Sequence, residues 1–433
     1  MRRRGVAAVL ALSLIVGASP ALAPGQQPQT APEQALANSL YSQLAALRGQ
    51  AAPGPPPPVV IRSQAEIRRY AEQELNRKYP PARLEAERKG MVAWGLIAAD
   101  FDLRGMLLDL LQEQAAAYYD PVAKVMVLAA TLTPEQQHVA LLHELVHALQ
   151  DREVPLDRFL APGPGKGDQI LARQTLVEGD ATALSLDVLL TPQGLSLDRI
   201  PDLSLVRQLI SLQTLGTTVA RAPKFLKDLL LFPYIQGLTF VHQFRLRNPW
   251  SAIGQLYRDP PRSTTQVLHP DKFFGTREDP LSIALPDLTA ILGQKWQKVI
   301  EDELGEWSLG AVLEGHLGEG NARSLAQGWR GDRYQLWEDG RDQLLVYRLS
   351  LERDGAAEVF ALAYARLIEK KYPVLAGKGV RGPDSVWSWQ VGPQGLLVER
   401  RGQEILVLER APAGAMERIR QALWSASAPV PTR

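Results

Sequence analysis

Two histidines and a glutamate stand close together in His143-Glu144-Leu145-Val146-His147. Residues four apart share one face of a helix, so this spacing aims two imidazoles at one point with the glutamate beside them. Two imidazole nitrogens at about 2.0–2.1 Å make half of a zinc site, and Glu144 is placed to take a proton from an attacking water. The alternative is a core helix whose histidines merely find hydrogen bonds. Val139, Ala140, Leu141, Leu142, Leu145, Val146, Ala148 and Leu149 surround the motif on nearly every side. A helix that is apolar all round is a buried helix. Burying two histidines and a glutamate without partners costs on the order of several kcal/mol, which a metal removes.

The element that must carry these residues has its own start signals. Thr133 can cap a helix, Pro134 suits its first position, and Gln136 completes a Thr-x-x-Gln capping box. Ahead of it, Ala115 to Ala129 reads as strand, turn, strand around Asp120-Pro121. The second strand directly precedes the motif helix. It is either an edge on which an extended substrate pairs or half of an ordinary hairpin.

Zinc takes a third protein ligand and leaves a position open for water. Asp168 to Leu190 reads as the next long helix and carries Leu176-Val177-Glu178-Gly179-Asp180-Ala181-Thr182, where two carboxylates interrupt an apolar run. Glu178, 31 residues beyond His147, is the expected third ligand. The alternative is a carboxylate bonded to a neighbouring arginine or amide. Gly179 would let the two helices approach closely. Asp180 lies roughly 200° around the helix from Glu178, so it either orients a group behind the metal or faces solvent. Tyr234 and His269 are candidate donors to the oxyanion of a tetrahedral intermediate; the alternatives are a packed tyrosine and a surface histidine. Phe232 to Gly237 reads as a loop-to-helix junction broken by Pro233, and Ser263 to Gln266 as a second capping box. His138, His242 and His316 read as structural.

The 433 residues suffice for two or three domains with a sizeable core. With 48 basic and 47 acidic side chains, nothing points to nucleic acid or a membrane surface. Arg2, Arg3 and Arg4 precede an apolar run, Gly5 to Gly17, and then small residues, the pattern of an export signal. Cleavage after Ala21 and retention as an anchor both stay open, because Pro24 follows Ala23. The chain has no cysteine, so any zinc site must use histidines and carboxylates. Residues 24–58 read as a Pro/Ala/Gln-rich linker in which Glu33 to Leu47 could form one helix. Thr289 to Leu317 reads as mainly helical. Farther on, Arg333 to Trp337 and Gln343 to Leu351 flank Asp339-Gly340 as a hairpin with a primed turn. Further strands follow at Val386, Leu396 and Glu404, with helices from Gly355 and Ala415. That part is a small antiparallel α+β unit with no motif of its own.

Tyr119-Asp120-Pro121, HELVHALQD, LVEGDAT, PYIQG, STTQVLHP and Gly328-Trp329-Arg330-Gly331-Asp332-Arg333-Tyr334 together resemble a family of secreted prokaryotic proteins with a gluzincin-like zinc peptidase domain. The resemblance runs from about Ala115 to the end. It implies zinc on His143, His147 and Glu178 with Glu144 as base. One position departs from thermolysin-like enzymes, which carry an aspartate four residues after the ligand glutamate; here that residue is Thr182.

The sequence therefore predicts an α+β chain. A signal, 1–23, and the linker, 24–58, precede a mainly helical zincin-like metallopeptidase domain with a small sheet, 59–280. A helical connector and antiparallel α+β domain, 281–433, follow. The expected function is a secreted or periplasmic zinc-dependent peptidase acting on a peptide or protein substrate, with no nucleic acid and no membrane beyond an N-terminal anchor. The rival expectation is a non-catalytic envelope interaction protein whose metal site is structural or vestigial.

Overall fold

The computed structural model describes residues 31–431 apart from 51–53, 115, 164, 214–216, 321, 383–384 and 427. The expected export signal lies outside the described residues. The chain begins with helix α1 (Ala31–Leu47), strand β1 (Val59–Arg62), and helices α2 (Gln64–Lys78), α3 (Pro81–Trp94) and α4 (Leu103–Gln114). Strands β2 (Ala117–Asp120) and β3 (Val125–Ala129) lead into the motif helix α5 (Pro134–Glu153). Short α6 (Leu156–Phe159) precedes α7 (Gly167–Leu190), then α8 (Ser204–Gln213), α9 (Thr217–Arg221) and α10 (Lys224–Arg245). Three short helices follow, α11 (Gly254–Arg258), α12 (Thr264–Leu268) and α13 (Asp271–Phe274).

α5 starts where its sequence says it should. The Thr133 hydroxyl accepts from the Gln136 amide, and the Gln136 side chain accepts from the Thr133 amide at 2.9 Å. α2 has the same reciprocal cap between Ser63 and Glu66. Most of the apolar surround of α5 is buried as expected, with Leu141, Leu142, Leu145, Val146, Ala148 and Leu149 in one core with α1, α7 and α10, whereas Val139 is exposed. Among the described residues, no helix is long and apolar enough to cross a membrane.

The second part holds β4 (Leu281–Ser282), α14 (Thr289–Leu292), β5 (Gln297–Asp302), α15 (Gly305–Leu317), β6 (Trp329–Glu338), β7 (Gln343–Leu351) and α16 (Asp354–Lys371). It closes with β8 (Val380–Gly382), β9 (Val386–Val391), β10 (Gln394–Arg401), β11 (Glu404–Pro412), α17 (Met416–Trp424) and β12 (Val430–Pro431). Seven strands pair antiparallel in the order β5-β6-β7-β11-β10-β9-β8. Their side chains alternate between two cores, as the pleat requires. Tyr347, Leu349, Ile405 and Val407 lie with α15 and α16, whereas Leu344, Val346, Leu406 and Leu408 lie with α17. The chain is thus of the broad α+β class. Trp94, at the end of α3, sits edge-on against Tyr334 and Tyr347 and joins the helical part to the sheet.

Several expectations are corrected here. The helix expected within the linker stretch is present as α1, but it is packed rather than free, burying Leu40, Tyr41 and Leu44 against the main core. The strand before the motif helix is not an edge. β3 is central, with β1 parallel on one side and β2 antiparallel on the other, so the two edges of the sheet are β1 and the buried β2. Thr289 to Leu317 includes β5, an edge strand, rather than continuous helix. The Asp339-Gly340 hairpin leaves four residues between the paired Glu338 and Gln343, not a two-residue primed turn. The Asp339 side chain accepts from the Arg341 and Asp342 amides and so builds a wider loop.

Candidate metal centre

α5 and α7 bring the predicted donors together. Nε2 of His143 lies 3.3 Å from Oε2 of Glu178, and Nε2 of His147 lies 3.6 Å from the same oxygen. The two rings meet edge to face with centroids 4.9 Å apart. Ligand atoms of His143, Glu144 and His147 all lie within 4.8 Å of one another. Tetrahedral zinc with ligands at 2.0–2.1 Å holds its donor atoms about 3.3–3.4 Å apart. The observed separations bracket that figure, and the donor set of two neutral-capable imidazoles and one carboxylate is that of a catalytic zinc site. The residues present therefore fit the metal.

Glu144 sits beside this trio with a different set of partners. Its Oε2 accepts from the backbone amide of Tyr119, on β2, at 2.9 Å. Burial is the largest influence on its carboxyl and, with Glu178, raises it above the usual carboxylate range against the pull of both histidines and of that amide. A raised carboxyl moves toward the range where it can both accept and return a proton near neutrality.

The other two groups titrate as a pair. Burial works against a charged His147, but Glu178, Glu144 and Gln150 outweigh it and raise the ring to about 9. Burial likewise works against an ionised Glu178, and the two histidines outweigh it, holding the carboxyl at about 2. In the metal-free protein His147 therefore carries an extra proton at neutral pH, whereas Glu178 is already ionised. A metal must displace that proton, so affinity should rise about tenfold per pH unit and level off above the ring's own titration near pH 9. Competition titrations of zinc against a chelator across this range would show the slope, and a flat profile would contradict the proton displacement.

Tyr234 belongs to the cluster. Its ring lies 6.1 Å from that of His143, and its hydroxyl is hydrogen-bonded to Glu178. Burial, then Glu178 and Glu144, push the phenol well above its ordinary value, so it stays an O–H donor. His269 has a carboxylate partner of its own. Its Nε2 pairs with Glu306 at 2.7 Å, and that bond raises its pKa. His242 and His316 bond the carbonyls of Ile200 and Trp94, as structural histidines do.

Other expectations change at the helix crossings. Phe232 to Gly237 is not a junction but the middle of α10, with Pro233 inside the helix. Proline there removes one amide donor without stopping the helix. Gly179 does allow a close approach, but the neighbour is Gly237 of α10 rather than α5. A Cβ on Gly179 would lie 2.2 Å from the Gly237 carbonyl carbon. The Ser263 cap is only half a box. Ser263 accepts from the Gln266 amide, while the Gln266 side chain turns to the amide of Arg262.

Asp180 resolves toward the interior. It is fully buried and accepts from Gln150 Nε2 at 2.9 Å, the Tyr257 hydroxyl at 2.6 Å and Arg48 at 2.5 Å. Gln150 in turn meets Nδ1 of His147 at 2.8 Å. The sequence reading passed over Gln150, although its place three residues after His147 on a helix was the available signal. Arg48 and Tyr257 carried no signal, since they come from segments far away in the chain.

The family model described as Domain of unknown function (DUF8575) matches residues 294–420, a stretch that spans β5 to α17 and includes none of the clustered residues. No curated protein and no solved structure matches the chain.

Proposed function

We propose that the chain is a zinc-dependent peptidase of zincin-like fold, with the metal on His143, His147 and Glu178 and with Glu144 as general base. The observation that carries this reading is the convergence of two Nε2 atoms on one Glu178 oxygen with a second acid, Glu144, beside the histidines. A purely structural site held by His143, His147 and Glu178 has no use for that second acid. Zinc bound there would polarise a scissile carbonyl and acidify water. Glu144 accepts the proton of the attacking water and returns it to the leaving amine nitrogen. The Tyr119 amide fixes the carboxylate that does this. Tyr234 keeps its proton and offers a donor close to His143. β2 is one of the two edge strands of the small sheet, and its Tyr119 amide bonds Glu144, which ties the base to that sheet. The arginine-led apolar N-terminus supports an exported protein. The test is hydrolysis of a mixed peptide library by the purified chain. Cleavage that a chelator stops and zinc restores would support the reading, and no cleavage by zinc-loaded protein on any peptide would count against it.

A further inference from the structure

Behind His147 lies a chain of buried polar groups that the proposed reaction does not use. Gln150 is wholly buried. Its Nε2 donates to the Val177 carbonyl and to Asp180, both at 2.9 Å. Two acceptors on that side fix the orientation of the amide, so Oε1 must be the atom facing His147 Nδ1 at 2.8 Å. An amide oxygen only accepts, so Nδ1 carries the proton and Nε2 is left to face Glu178.

Asp180 is held in place by three donors from three other segments. Gln150 comes from α5, Tyr257 from α11, and Arg48 from the turn after α1. Arg48 also reaches Glu153 at 3.1 Å. This arrangement is not cheap. Burying an ion pair seldom adds stability, and both Asp180 Oδ1 and Arg48 Nε lack a hydrogen-bond partner among the described residues. A packed apolar cluster would fill the same space without those orphans.

Resting on the metal site proposed above, we infer that Gln150 is the positioning residue of His147, set by Asp180 and Arg48. It holds the ring in the tautomer and orientation that a metal needs, through a neutral amide whose charge support lies one step back. The N-terminal helix thereby becomes part of the site, because Arg48 is the far end of the relay.

The experiment measures zinc affinity by chelator competition on the full chain, with the melting temperature of the metal-free protein read alongside. Gln150→Met keeps the length of the side chain and removes the acceptor. Gln150→Glu combined with Asp180→Asn exchanges amide and carboxylate and keeps an acceptor toward the ring. Loss of such a partner costs about 10–100-fold in metal affinity. The expected result is that loss in Gln150→Met at nearly unchanged melting temperature, with the exchanged pair returning most of it. Unchanged affinity in Gln150→Met would overturn the inference while leaving the metal site standing. Wild-type protein that takes up no zinc would instead remove the metal site and the inference with it. Should Gln150→Met fail to fold, the exchanged pair decides alone: near-normal affinity supports the role, and a folded pair that binds as weakly as a ligand-partner deletion overturns it.

Discussion

Glu144→Gln should leave zinc bound and lower peptide hydrolysis by at least about 10³-fold, within the range that general acid–base catalysis supplies. Glutamine has the same shape and can still accept from the Tyr119 amide through its oxygen, so the β2–α5 contact survives. What disappears is an acid whose pKa burial has raised while the neighbouring histidines restrain it. The amide cannot take the water's proton at any pH in the stable range of the protein. Turnover and metal content measured on the same sample separate the two effects. Activity retained with full metal would remove Glu144 from the mechanism.

The second large effect lies at a backbone contact. Gly179→Ala should destabilise the fold by about 3 kcal/mol, the upper part of the range for overpacked cores, and weaken the metal site as well. The added Cβ would lie 2.2–2.4 Å from the Gly237 Cα, carbonyl carbon and carbonyl oxygen. Those are main-chain atoms of a long helix, and no side-chain rotation can relieve them. Gly237→Ala meets the same wall from the other side, with the Thr175 carbonyl at 2.2 Å. Moving α7 away from α10 carries Glu178, the next residue, out of reach of the histidines. Thermal melting would show the loss. A variant with unchanged melting would mean that the two helices have slack that the close approach denies.

The site was more legible in the sequence than the fold around it. His143, Glu144 and His147 are local, and helical spacing alone puts the two histidines on one face with Glu144 beside them. Glu178 followed from counting ligands, because a buried carboxylate in an apolar helix needs a reason. Tyr234 does lie beside His143 and Glu178, although its surroundings were misread: Pro233 looks like a stop from local rules, but the helix continues through it. The partner of His269 was hidden for a related reason. Its neighbour Glu306 lies 37 positions away, and no spacing rule links the two.

What the sequence hid is mostly long-range pairing. β1 is four residues long and follows a run of prolines, yet it pairs parallel with β3 more than sixty positions on. Parallel neighbours leave no turn signature between them. β5 was lost among helical segments because Gln297 to Asp302 holds only two apolar residues, Val299 and Ile300, among three charged ones. Arg48 looked like one more charge at the end of a linker. Only the packed α1 shows it to be buried against Asp180.

The most direct test of the central claim is metal content by mass spectrometry on the purified full chain, wild type beside Glu178→Ala. The reading predicts about one zinc per wild-type chain. It also predicts affinity lower by about 10²–10³-fold in the variant, the share of one ligand in the ~10–16 kcal/mol with which zinc is held by full ligand sets. Wild-type protein that stays free of zinc after reconstitution, or a Glu178→Ala variant that binds it equally well, would contradict the three-ligand site and leave the rival reading of a non-catalytic envelope protein.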